Sequence, residues 1–374
     1  MQKKIYFENL DGLRFLCFFS VFLFHSFYTE VPEVLHSPMY RFVKNDVFGN
    51  GNLGVNFFFV LSGFLITYLL IEEKKLNGQI NVPFFWLRRI LRIWPLFYFC
   101  VAFGFFGFPL LKHFFGQTPH ETATLPYFLT FLNNFEFISK GPPDASTLGV
   151  LWSVAVEEQF YLVWPVVLYF LPVRQFWIAF VSVIGASLLF RFLNPDPILY
   201  EHHTLSCIGD MAIGALGAWL MLEFPPFHQW VNRWPKWAIT LLYVCFLVVF
   251  LFRDEMQEAM PAIQVVERAL IAVMMLFIIL EQTFAQHSWF KMSQFKVISY
   301  LGKITYGLYC LHFIGILIAI TISRLLHLND HVWEVLVLDT AMALMITLGI
   351  SFISYSYFEK PFLKLKDRFA FILK

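Results

Sequence analysis

The chain has 374 residues, of which 59% are hydrophobic, 20% aromatic and only 14% charged. A soluble domain carries about 45–50% apolar and about 25% charged residues, so a water-facing globule is excluded. A net charge of +1 also excludes a nucleic-acid binder with a broad basic face.

What remains is an all-α, polytopic membrane helix bundle. A spanning helix needs about 20 mostly apolar residues. Ten stretches meet this in chain order: 10–28, 52–71, 92–111, 148–171, 176–193, 205–222, 236–252, 262–281, 304–323 and 333–356. Lys3 and Lys4 before the first stretch suggest a signal peptide. However, no small-residue cleavage site follows and Arg14 interrupts the apolar run, so a retained first helix is expected. Leu125–Ile138, at about 14 residues, is too short to span and reads as a re-entrant or interfacial piece.

Charge sets the orientation. With the N-terminus in the cytoplasm, 18 of the 27 Lys and Arg residues fall in cytoplasmic segments, 6 on the opposite side and 3 (Arg14, Arg191, Arg268) inside spans. Both termini are therefore expected in the cytoplasm, and the whole chain 1–374 as one transmembrane domain of the inner membrane with no appended soluble domain. The basic tail Lys360–Lys374 carries Phe362, Leu363, Leu365 and Phe369 between its charges and is expected along the inner interface. Five cysteines are scattered through apolar runs without metal-ligand spacing, which predicts free thiols and no metal.

Titratable groups inside a span are costly and are functional candidates. Arg14 and His25 are 11 residues apart in the first helix. Eleven steps close about three turns, so both side chains share one face, about 16 Å apart along the axis. Arg14 also stands one turn after Asp11 and can pair with it at the interface; His25 can be an interhelical hydrogen-bonder. Arg88, Arg89 and Arg92 open the third helix on shared i,i+3 and i,i+4 faces. They suit either a positive-inside anchor or a phosphate clamp. Glu157 and Glu158 are adjacent carboxylates within an apolar helix, expected at a depth close to that of His25. Asn56, Ser153, Asp210 and His312 are weaker candidates, and Ser62 and Gly63 read as packing positions.

The order of these motifs resembles the acyltransferase-3 family of integral-membrane acyltransferases, nearly end to end. The resemblance rests on Leu10-Asp11-Gly12-Leu13-Arg14 with His25 at the Arg-x10-His spacing, on Phe57–Thr67 and on the Arg88–Pro95 block. Leu151–Pro165 is its most specific segment, and Asp210–Gly214, Leu301–His312 and Tyr357–Pro361 follow in order. It implies transfer of an acyl group, usually acetyl, from cytoplasmic acyl-CoA to a hydroxyl on a cell-envelope or exported saccharide. By the same resemblance, His25 is the central catalytic group, supported by Arg14. Arg89 and Arg92, beside Arg88, meet the acyl donor, and Glu157 and Glu158 are the acidic pair.

Acyl-CoA is expected as a co-substrate and no cofactor as a resident. The expected partners are a saccharide or lipid-linked glycan, membrane lipid and a possible separate envelope protein. Asn56 stands where many members have Asp, and an amide cannot act as a carboxylate base. Some larger members carry an extracytoplasmic hydrolase-like domain, without which this chain would act alone or with a partner. The expected path runs from Arg89 and Arg92, past Arg14, to His25, with Glu157 or Glu158 orienting the imidazole or binding the acceptor. A transporter or flippase would use intramembrane Arg, His and Glu equally well, and a nonenzymatic membrane sensor would bind no acyl-CoA.

Overall fold

The computed structural model describes residues 5–260 and 263–369. Lys3, Lys4 and Lys374 of the charge count lie outside the described residues, as do residue 262 of the eighth stretch and 370–374 of the basic tail. Every regular element described is helical. Ten helices are long: α1 (Glu8–His25), α2 (Leu53–Asn77), α3 (Val82–Ala102), α4 (Leu151–Phe170), α5 (Phe176–Leu193), α6 (Thr204–Glu223), α7 (Lys236–Ala259), α8 (Gln264–Phe284), α9 (Thr305–Leu325) and α10 (Thr340–Ile353).

Seven helical stretches are long and apolar enough to cross a membrane: Leu53–Asn77, Val82–Phe114, Val173–Leu193, Thr204–Glu223, Lys236–Ala259, Thr305–Leu325 and Glu334–Asp367. The other three, α1, α4 and α8, have 18, 20 and 21 residues. They carry Asp11 and Arg14, Glu157 and Glu158, and Glu267 and Arg268, none of which is exposed.

Two helix limits differ from the sequence expectation. The third helix starts at Val82, ten residues before the stretch 92–111, because Asn81 caps it: its Oδ1 accepts from the Phe84 amide at 3.0 Å, with Pro83 in the first turn. The last helix runs unbroken to Asp367, so the tail begins as its continuation and packs on α3. There Arg88 Nη1 donates to the Phe369 carbonyl at 2.8 Å.

The bundle is built around α2 and α6, whose 18-residue apolar windows are 72% and 67% buried, whereas that of α7 is only 11% buried and faces outward. Backbone contact makes the centre tight. A Cβ on Gly63 would lie 1.9 Å from the Met211 carbonyl oxygen, and one on Gly214 would lie 2.0 Å from that of Val60. Small residues at such crossings let van der Waals contact replace the hydrophobic drive that lipid removes. Gly63 is thus a packing position, as expected.

The stretch 125–138 forms two short helices, Leu125–Leu129 and Asn133–Lys140. They are separated at Phe131, which takes a φ of 55°. The connection is pinned by Lys112 on Asp144 at 2.5 Å and by Glu121, whose carboxylate accepts from the amides of Asp144 and Ala145. Burial pushes the Asp144 carboxyl up, but the Lys112 hydrogen bond and charge outweigh it and hold the group below its ordinary value.

Candidate active site

Two cavities meet inside the bundle. The first, about 150 Å³, lies towards the end where the described chain ends meet: Tyr6 lines it, and Arg88, next to the lining Arg89, holds Phe369. Four cations line it: Arg14, Arg89, Arg92 and Lys303. The second, about 320 Å³, lies towards the other end and is lined by His25, Asn52, Asn56 and a group of aromatic rings. Val55 and Tyr309 line both cavities and so form the partition between them. The Tyr309 hydroxyl is fixed there, 2.7 Å from Ser153 Oγ and 3.2 Å from the Val150 carbonyl.

Arg14 and His25 do share one face of α1, as their spacing predicts, yet each reaches a different cavity. Arg14 pairs with Asp11 and lines the basic cavity at the same time. Asp11 also accepts from Tyr6, and a Cβ on Gly302 would lie 1.8 Å from the Asp11 carbonyl oxygen, so this end of α1 is clamped from two sides.

The three arginines of α3 separate. Arg92 lines the cavity, and neither a hydrogen bond nor an ion pair holds its guanidinium among the described residues. Arg89 lies over the rings of Phe85 and Tyr161 at 5.4 and 5.5 Å, with its Nε buried and unpartnered. Arg88 turns away to Glu73, at 3.1 Å, and to the Phe369 carbonyl.

The carboxylate pair separates too, and it does not sit at the depth of His25. Glu157 lines the basic cavity, where Ser62 Oγ donates to its Oε1 at 2.9 Å and the Tyr161 hydroxyl to its Oε2 at 3.0 Å. Glu158 lines neither cavity; Trp94 Nε1 donates to its Oε2 at 2.8 Å. The expectation that either carboxylate orients the imidazole is therefore corrected. The cause is where α4 begins: Val150 and Trp152 line the His25 cavity, Ser153 already lines the basic one, and Glu157 lies about one turn beyond Ser153, past the partition.

The weaker candidates fall into different roles. Ser153 lines the basic cavity. Asn56 lines the His25 cavity and donates to Asp210 Oδ2 at 3.2 Å. Asp210 itself is an ion-pair partner, held by Arg268 at 2.8 Å, and lines neither cavity. His312 lies with its ring centre 5.4 Å from that of His25; its Nδ1 meets the Tyr309 carbonyl at 2.6 Å and its buried Nε2 has no partner. The His25 ring packs on Phe24 and Phe313 and forms no hydrogen bond among the described residues.

Sequence reasoning missed three groups that the structure brings in. Lys303 is one of the 18 Lys and Arg residues that the charge count assigns to cytoplasmic segments, Ser62 reads as packing, and Tyr309 lies within the Leu301–His312 motif without being singled out. A polar residue directly beside a motif glycine, Gly63, is the available signal for Ser62.

Comparison with known proteins assigns the chain to a family. An acyltransferase-domain family model, that of acyltransferase-3, matches residues 7–356. The peptidoglycan O-acetyltransferase OatA of Listeria monocytogenes is 27% identical over 99% of this chain and 59% of its own length. A putative peptidoglycan O-acetyltransferase of Bacillus subtilis is 28% identical over 96% of this chain and 55% of its own. A putative O-acetyltransferase of Staphylococcus aureus is 25% identical over 97% and 58%. The chain thus spans less than two thirds of the length of these relatives. No solved structure matches it. With the family's domain covering nearly all of its length, this membrane protein belongs to the acyltransferase-3 family.

Proposed function

We propose that the chain takes an acyl group, acetyl by preference, from acyl-CoA at the basic cavity and passes it to a hydroxyl of an envelope saccharide at His25. All ten long helices cross the inner membrane in this reading, with the basic cavity opening to the cytoplasm. The excess of Lys and Arg at that end supports the orientation. The relatives named peptidoglycan O-acetyltransferases support the acetyl group and the saccharide acceptor.

One observation carries the proposal: a cavity lined by four cations, of which only Arg14 is held in an ion pair among the described residues, abuts the cavity of an imidazole without a hydrogen bond across Val55 and Tyr309. Guanidinium groups left unpaired in a low-dielectric setting are costly, and phosphate oxygens satisfy them with charge-assisted hydrogen bonds. Arg89, Arg92 and Lys303 hold the CoA phosphates, and the pantetheine arm runs along Phe58 and Ser62 to the partition. Tyr309 must yield there for the thioester carbonyl to face His25.

In the step itself the acceptor oxygen attacks that carbonyl. A C–O bond forms, the C–S bond breaks, and the hydroxyl proton passes through the imidazole to the departing sulfur. Asn56, near His25, keeps the acceptor in place as a neutral hydrogen-bonding group.

The test is the purified chain in lipid nanodiscs with radiolabelled acetyl-CoA and a saccharide acceptor. Labelled sugar should appear with the wild type and fall at least about a hundredfold, the usual size of a general-base contribution, in His25→Ala. Movement of sugar across the bilayer without acetyl-CoA turnover would overturn the reading in favour of transport.

A further inference from the structure

The cavity beside His25 has two unlike walls. Trp152, His202 and Phe137 form an aromatic wall: His202 stacks on Phe137 with ring centres 4.4 Å apart and planes 14° apart, and Trp152 lies 4.5 Å from His202. Opposite in chemistry is Glu201, the one carboxylate among the described lining residues, which include no lysine or arginine.

Glu201 is held rigidly. Arg253 Nη2 donates to its Oε1 at 3.1 Å, while Arg268 Nη1 stays 3.9 Å from Oε2. Oε2 therefore accepts no hydrogen bond from the described residues, and 30% of the side chain is open. Burial raises the carboxyl, but the charges of Arg253 and Arg268 outweigh it and hold it below the ordinary carboxylate range. A second acceptor is vacant in the same cavity: Asn52 Oδ1 is buried without a partner.

The geometry points to an acceptor pocket for one uncharged sugar ring, stacked on Trp152 and His202, with its hydroxyls donating to Glu201 Oε2 and Asn52 Oδ1. This deepens the acyltransferase reading and rests on it. The C–H faces of a pyranose suit aromatic surfaces, and hydroxyls donating to an ionised carboxylate form the stronger class of hydrogen bond. About 320 Å³ is at the low end of small-ligand pockets, about 300–1,000 Å³, so the pocket takes a single ring of a longer glycan. An acidic sugar would set its carboxylate against Glu201 where water screens little. The basic cavity is the mirror case, built for an anion.

The experiment uses the full chain in nanodiscs with acetyl-CoA and two acceptors of equal length, tri-N-acetylglucosamine and trigalacturonate. The wild type should prefer the neutral acceptor by about tenfold or more in kcat/KM, the scale of one lost hydrogen bond to a charged group. Glu201→Gln and Trp152→Leu should each raise the acceptor KM by about tenfold with the acetyl-CoA KM unmoved, and Glu201→Gln should narrow the neutral-to-acidic preference. Two variants on separate elements guard against a folding defect in one, and an unshifted acetyl-CoA KM marks an intact donor side. Transfer with an unchanged acceptor KM in both variants, or a wild-type preference for trigalacturonate, overturns the pocket alone. Absence of transfer from wild-type chain to either saccharide overturns the acyltransferase reading itself.

Discussion

Arginine is used in two opposite ways in this bundle. Arg191, Arg253 and Arg268 stand around the α5–α8 corner with every group engaged. Arg268 holds Asp210 and the Tyr200 carbonyl, Arg253 holds Glu267 at 2.5 Å and Glu201, and Arg191 holds Ser206 Oγ and the carbonyls of Val265 and Gln264. Three carboxylates, Glu201, Asp210 and Glu267, offset the three arginines. At the other end neither Arg89 nor Arg92 is held in an ion pair among the described residues, although Glu157 lines the same cavity. An intramembrane charge is therefore not by itself a sign of function. The closed set fixes helices, and in the proposed reading the open set binds an anion.

The contrast is broken most severely by Arg268→Met. Asp210 would be left buried without its cation, a loss of about 3–5 kcal/mol for one partner of a buried pair. The unfolding temperature in detergent should fall sharply, and the acetyl-CoA KM of the folded fraction should stay unmoved. An unchanged unfolding temperature would deny the cluster its structural role. Next in size, Arg92→Gln removes a cation that no ion pair holds among the described residues. The fold should stay as stable as wild type while the acetyl-CoA KM rises about tenfold to a hundredfold, the worth of one charge-assisted phosphate contact. A drop in stability without a KM change would place Arg92 with the closed set. Smaller again is the difference between the adjacent carboxylates. Glu157→Gln should slow transfer by about tenfold, because it disturbs Ser62 and Tyr161 in the donor path. Glu158→Gln, whose amide oxygen still accepts from Trp94, should stay within about threefold, both read as initial rates at saturating acetyl-CoA.

Much of the bundle was legible in the sequence because hydropathy reports what lipid demands. It reports less well on where helices end, since ends are set by hydrogen bonds and caps. The Asn81 cap and the basic first turns of α3 sit outside the apolar stretch, so the helix was shortened to 92. The same reason hid the continuation to Asp367. In the site, spacing on one helix put Arg14 and His25 on one face, which the structure shows. Spacing within a helix says nothing of how deep that helix begins. That is why Glu157 was placed beside His25 when it lies across the partition. Glu201 and His202 were invisible for a related reason: they sit in a short helix between spans, and only the fold of 112–147 over it brings Phe137 to His202.

The finest test lies within one turn of one helix. Arg88, Arg89 and Arg92 are alike in composition and in any count of positive charge, and a simple anchor or a simple clamp would treat them alike. The structure does not: Arg88 is engaged by Glu73 and the Phe369 carbonyl and lies off the cavity. Glu73 keeps a second donor, the Asn81 amide at 2.8 Å, when that guanidinium is removed. Arg88→Gln should therefore leave the acetyl-CoA KM within about threefold of wild type, the scale of substitutions away from a site. It should, however, loosen the packing of the last helix on α3, seen as faster amide exchange near Leu363 and Leu365. A KM rise equal to that of Arg92→Gln would mean that the phosphate contact is made by the whole basic turn. In that case unpaired geometry would not be what separates the binding arginines from the structural ones.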